Sequence, residues 1–314
     1  MTERIARFNE LTPSTLPFVE GRMEGHKERK NYSIVGPGVA EDSQQSIKIS
    51  KPHGYNLGAV SANPKNGSGL HSHTTAEVFL IYSGTWRFYW GADGKNEIIL
   101  NQGDIISMPT NMFRGFENAG GQEGLIFVVL GKDDPGIITW VPNVLIKAKE
   151  TGLALLDDNS LIDLKQNELP PNRKLLEPIS SEILQNFDNY EINEIEKFVF
   201  RSKNQANHEI DLNNTIKLIQ IIGNNFSNKT YKPLVGHNTG FNLSILKAKK
   251  GLIENLIFDK PTVLFSQKGN WVIKIEEEVF NIYSKDTFSI PLNTKITISV
   301  NNSEDCFLNC VSKA

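Results

Sequence analysis

The second half of this chain repeats landmarks of the first, in the same order. Gly54-Tyr55-Asn56-Leu57 returns as Gly240-Phe241-Asn242-Leu243, and Gly84-Thr85-Trp86 returns as Gly269-Asn270-Trp271. Asp104 with Pro109 and Asn111 returns as Asp286 with Pro291 and Asn293. The partners stand 186, 185 and 182 residues apart, a drift of the size that changes in loop length produce. One such match could be chance, but three in order predict a duplicated unit. At 314 residues, each half is long enough to bury a core of its own.

The unit reads as β. Short apolar runs (Leu57 to Val60, Val78 to Tyr82, Trp86 to Trp90, Ile98 to Leu100, Ile105 to Met108, Leu125 to Leu130) are split by Gly, Asn, Asp and Pro. That spacing predicts a sandwich or barrel. Pro142 at a first helical position, Val144, Leu145 and Ala148 at helical spacing, and Gly152 as a left-handed cap predict a short helix closing the first domain. Residues 153–206 are polar and interrupted by prolines, with one amphipathic helix expected around Ser181 to Phe187. β-rich runs resume at Ile216 and continue to Val300. The expected division is a first barrel over 1–152, a connecting segment over 153–206 and a second barrel over 207–314.

A net charge of −3 and a pI near 6.1, with no Lys/Arg cluster interleaved with aromatics, argue against nucleic acid as a partner. The N-terminus has no apolar run of signal-peptide type, and no stretch approaches the length of a membrane span, so no membrane partner and a cytoplasmic location are expected. Cys306 and Cys310, four apart in an apolar run, are expected on one strand face as buried small hydrophobes.

The chemistry concentrates between Gly67 and Gly84. In an extended chain the even separations of His71, His73 and Glu77 put all three on one face. Two imidazoles and a carboxylate can hold a divalent transition metal and leave coordination positions open. Gly69-Leu70-His71-Ser72-His73, Glu77 four residues on and Gly84 beyond it resemble the first motif of the cupin superfamily. The stretch from Gly103-Asp104 through Pro109 to Asn118 resembles the second. The resemblance implies an all-β fold with a few helices, built as two tandem jelly-roll β-barrels, a bicupin.

The sequence leaves the family pattern at Arg114, where the fourth metal-binding histidine would stand. A guanidinium stays protonated and cannot ligate a cation. Two readings are open: Arg114 binds the carboxylate or oxyanion of a substrate, or it pairs with Glu77 or Glu117 and leaves a site that no longer holds metal. A metal-free pocket and a purely structural His pair are the alternatives to a metal site. In the second half, alignment on Gly269 puts Leu256, Phe258 and Thr262 in place of His71, His73 and Glu77, so that site has lost its ligands and is expected to serve as support, dimerisation face or partner surface. His208 and His237 read as ordinary polar residues, His26 is unassigned, and His53 could approach the site.

Phe79 and Ile81 share the face of Glu77, and the dense aromatics from Phe79 to Trp90, with Met108, Met112 and Phe113, form either a packed core or an apolar pocket. The resemblance to quercetin and gentisate dioxygenases implies Fe(II), or Mn, Ni or Zn, a small carboxylated or phenolic substrate and O₂. In that scheme Arg114 positions an anionic group and Tyr82 or Tyr89 donates a hydrogen bond or proton. A cupin lyase or isomerase using the metal as Lewis acid would need the same ligands, and a non-enzymatic small-anion-binding bicupin is a further alternative. A homodimer is compatible with each.

Overall fold

The computed structural model describes residues 4–42 and 44–314. The first half closes two antiparallel layers around an apolar interior. One layer has the strand order Thr139–Trp140, Gly67–Ser72, Arg114–Asn118, Thr85–Trp90, Asn96–Asn101. The other runs Val199–Phe200, Ile105–Met108, Glu77–Ser83, Gly124–Gly131, Tyr55–Ala62, Arg29–Val35, Ile47–Ile49. Alternation decides what each layer buries: Trp86, Phe88 and Trp90 point inward to meet Phe79 and Ile81, while Val78 and Leu80 point the other way. In the second half, the long strands Phe241–Ile257 and Lys295–Lys313 pass through both layers, changing register between Ala248 and Lys250 where the pair bends. The two-barrel expectation therefore holds.

The repeat is visible atom by atom. Gly84 and Gly269 turn with φ of 89° and 86°, a left-handed conformation that glycine adopts without strain. The indoles of Trp86 and Trp271 are fully buried and donate to the carbonyls three residues back, those of Ser83 and Lys268. Asn111 and Asn293 share φ values of 55° and 56°. The helix Pro142–Glu150 begins and ends as its punctuation predicts, with Gly152 at φ 92°. The expected helix near Ser181 is shorter, Ser181–Leu184, with the Ser180 hydroxyl accepting from the Ile183 amide. Cys306 and Cys310 lie buried on one strand within the second core.

Two strand pairings cross the boundaries expected from sequence. The N-terminal Ile5–Ala6 pairs with Phe288 and Thr287 of the second barrel. Val199–Phe200, which precedes the second barrel, pairs with Ile106 and Ile105 of the first. The exchange is reciprocal in detail. Arg7 Nη1 donates to the Asn281 carbonyl and to Asp286, whose Oδ1 accepts from the Phe8 amide at 3.1 Å. Arg201 Nη1 donates to the Ile99 carbonyl and to Asp104, whose Oδ1 accepts from the Ser202 amide at 2.8 Å. Between the barrels lies one apolar core contributed by both, in which Phe127 stacks on Phe265 with ring centres 4.8 Å apart and Tyr55 donates to the Val311 carbonyl.

Candidate metal centre

His71 sits near the end of Gly67–Ser72 in one layer, and Glu77 opens Glu77–Ser83 in the other, so the site bridges the two layers of the first barrel. His71, His73 and Glu77 each offer a ligand atom within 4.8 Å of the others, and all three are buried. The His71 and His73 rings lie 5.0 Å apart, and His73 Nε2 is 3.5 Å from Glu77 Oε2. The three side chains expected on one strand face thus converge from two layers and the bend between them.

The donor set suits a cation. His71 Nδ1 lies 2.7 Å from the Gly69 carbonyl; as donor there, it leaves the Nε2 lone pair free. Among the described residues, neither ring nitrogen of His73 has a hydrogen-bond partner, although both are fully buried. An orphaned buried imidazole carries a desolvation cost that a ligand would relieve. Burial, helped by the Arg114 charge, lowers His71 to about 3 and His73 well below the usual histidine range, so both imidazoles are neutral at neutral pH, as ligation requires. Burial pushes the Glu77 carboxyl up, against the pull of Arg114.

Arg114 pairs with Glu77. Its Nε and Nη2 donate to the same carboxylate oxygen, Oε2, at 3.1 and 2.8 Å. Nη1 donates to the carbonyls of His71 and Met112. The guanidinium is only 1% exposed and is not among the residues lining the adjoining cavity. The pairing named in the second sequence reading is present and the substrate contact of the first is not: with its nitrogens committed inside the wall, Arg114 has no fork to offer a substrate carboxylate, while the donor atoms of His71, His73 and Glu77 still lie within 4.8 Å of one another. Glu117 instead meets Arg87.

Tyr82 and Tyr89 are corrected too. Tyr82 is five residues from Glu77, an odd separation, and points into the interdomain core, its ring 5.9 Å from that of Phe127. Tyr89 alternates with the inward Phe88 and Trp90, so its ring lies outside under the Arg87 guanidinium and its hydroxyl donates to the Ser68 carbonyl. Neither reaches the site. His53 lies between the barrels, 2.9 Å from Ser289 Oγ, and does not approach the triad.

Two acidic residues missed in sequence support the site. Glu20, fully buried, accepts from the Gly69 amide, the Ser68 hydroxyl and Arg29 Nη1 at 2.8 to 2.9 Å, and so holds the strand that carries His71. Burial alone would raise its carboxyl, but His26 and Arg29 hold it below the usual range. Glu41 accepts from the Val19 amide and from the indole of Trp140, whose ring packs 5.2 Å from His71; burial pushes the Glu41 carboxyl up to about 8. Isolated acids in irregular segments leave no periodic signal in the sequence.

A cavity of about 70 Å³ opens against His71 and Glu77. Phe79, Phe116, Val128 and Leu130 line its apolar wall, and the segment from Gly36 to Ala40 covers it. In the second barrel the equivalent positions carry neither histidine nor carboxylate. The pairing of His71 with Arg114 is matched by that of Leu256 with Ile296, and that of Glu77 with Met108 by that of Thr262 with Ile290. Leu256, Phe258, Thr262 and Ile296 therefore replace all four polar side chains, and Phe258 is buried in the second core.

Comparison with known families matches residues 59–130 to the cupin domain. A search of curated proteins finds no match. Among solved structures, a point mutant of Bacillus subtilis oxalate decarboxylase is similar over 100% of this chain and 78% of its own, at 12% identity and a TM-score of 0.60. A formate complex of Lactobacillus farciminis oxalate decarboxylase matches over 100% and 86% at 15% identity, TM-score 0.58. The 7S globulin of Momordica charantia matches over 100% and 85% at 12% identity, TM-score 0.58. At these identities the likeness is one of fold. Residues 59–130 are a cupin domain, the whole chain has the fold of two tandem cupin barrels, and among the described residues the one cluster that could hold a metal ion, His71, His73 and Glu77, lies in the first of them.

Proposed function

We propose that the first barrel is the centre of a metal-dependent cupin enzyme, dioxygenase-like in layout, acting on a small phenolic or carboxylated molecule. The observation that carries this reading is His73, buried with both ring nitrogens unpartnered between His71 and Glu77. In this reading His71, His73 and Glu77 hold the ion, Fe(II) or another divalent metal such as Mn. When bound, it supplies open positions for substrate and O₂ and a Lewis acid for charge that develops there.

The chain's own residues set the conditions. The His71 contact with Gly69 fixes the ring, and Arg114 fixes Glu77 by one oxygen. Phe79, Phe116 and Val128 keep bulk water from the cavity, which strengthens electrostatic interactions inside it. The second barrel, whose equivalent positions are apolar, serves as support or as a face for a homodimer.

A second reading, carbon–carbon cleavage with the metal as Lewis acid alone, draws support from the oxalate decarboxylases among the similar structures. Elemental analysis of protein purified without chelator tests the metal. O₂ uptake and CO₂ release, measured against a panel of phenols and small carboxylic acids, then separate the two reactions. Protein that binds no divalent metal under any loading condition overturns both.

A further inference from the structure

The place where this site departs from its family is Arg114, and its surroundings limit what it can do. Nε and Nη2 are committed to Glu77 and Nη1 to the carbonyls of His71 and Met112, so the side chain cannot swing toward a ligand without leaving these groups unpaired in the interior. What it does contribute to the cavity is charge. The guanidinium already neutralises Glu77, and both imidazoles are neutral ligands. Among the described residues, the cavity wall has no other carboxylate, no lysine and no arginine. A divalent ion placed among His71, His73 and Glu77 therefore adds two positive charges to a site whose one liganding carboxylate is already paired with Arg114, the carboxylate of Glu20 behind His71 being paired in turn with Arg29. In a low-dielectric interior that excess is strongly unfavourable. In the second barrel Thr262 and Ile296 stand in place of the carboxylate and the guanidinium, as Leu256 and Phe258 do in place of the two histidines.

We infer that Arg114 makes this a conditional metal site, in which a divalent ion is held tightly only together with an anionic ligand at its open positions. The ligand is recognised by its negative charge and its bond to the metal, without contact to Arg114, and a carboxylate or phenolate fits that description. Linkage makes the dependence mutual: the anion tightens the metal by the same factor as the metal tightens the anion. The inference rests on the metal-centre reading above.

The test measures Mn²⁺ binding by the full chain through the electron paramagnetic resonance signal of free Mn²⁺. The background is perchlorate, a poor ligand, with and without formate, a small carboxylate that chelates weakly in solution. In the wild type, saturating formate is expected to lower the Mn²⁺ Kd by about tenfold or more. In Arg114→Gln, which removes one positive charge, Mn²⁺ binds more tightly without formate, and the formate effect falls to about threefold or less. A wild-type Kd that formate leaves unchanged overturns the inference while leaving the metal centre standing, and so does an equal formate effect in the two proteins. The wild-type comparison needs no variant, so it stands even if Arg114→Gln does not fold. No Mn²⁺ binding in any condition overturns the inference together with the metal centre.

Discussion

His73 is buried with neither ring nitrogen hydrogen-bonded to a described residue, and the metal reading rests on it. His71→Ala and His73→Ala are expected to abolish stoichiometric metal binding while changing stability by no more than about 2 kcal/mol, because truncation removes polar atoms that are already costly to bury. Metal content and thermal melting measured on the same samples check this; either variant retaining one metal per chain at wild-type affinity would refute the assignment. The metal-free protein also has a defined pH response. His71 titrates near 3 when folded and near the ordinary value of 6.5 when unfolded, so between these values the unfolded chain binds more protons. Stability is therefore fully present above pH 6.5 and declines as pH falls toward 3; His73 is lowered in the same direction, so His71→Asn should make that decline shallower in denaturant titrations at pH 7, 6 and 5 without abolishing it. The triad was legible from its residue types and close spacing rather than from parity, since the chain bends at Thr74 and Thr75 and crosses from one layer to the other before Glu77. Tyr82 was misassigned although the parity rule, applied to its odd separation from Glu77, excludes it.

At the scale of elements, what the sequence shows depends on which residues face inward. Strands such as Glu77–Ser83 and Gly124–Gly131 bury nonpolar side chains and are plain in the apolar pattern. Gly67–Ser72 and Arg114–Asn118 are just as buried, yet the side chains they turn to the interior include His71 and Arg114, so the hydrophobic period that signals a strand disappears where the chemistry sits. Pairing of Arg114 with Glu77 was one of two sequence readings, and only the register of Arg114 opposite His71 decides between them. The matched turns give a sharper test. A Cβ at Gly84 would lie 3.1 Å from Gly124 Cα, whereas one at Gly269 would run into the Cys306 thiol, both at positive φ. Gly84→Ala should cost about 1–2 kcal/mol and Gly269→Ala about 2–4 kcal/mol. Urea unfolding orders the two, and replacing Cys306 by Ala in the Gly269→Ala background should recover part of the difference.

For the whole molecule, the two halves share a core and exchange their leading segments, so neither expected barrel is self-contained at the boundaries that composition suggests. Nothing local in the sequence announces the exchange: the segments Ile5 to Phe8 and Val199 to Ser202 have little in common beyond an arginine, Arg7 and Arg201. The repeat in Asp104 and Asp286 was visible, but its purpose, receiving the arms, was not. Asp104→Ala and Asp286→Ala each leave an arm's backbone amide without its acceptor and should each cost about 1–3 kcal/mol in chemical denaturation. The double variant should be near the sum, because the two contacts share no atoms. No measurable loss in either single variant would show that the arms are held by their strand pairing alone.

The reciprocal arms have the form of an exchange between two like chains. Two copies of a one-barrel chain, each laying its first strand across the other about a twofold axis, would make these same contacts as a symmetric dimer. Joining the copies end to end preserves the axis while ending the obligation that both subunits carry the same residues. One half could then exchange its histidines and its buried ion pair for Leu256, Phe258, Thr262 and Ile296 while the other kept them, and the ancestral interface passed into the interior of a single polypeptide.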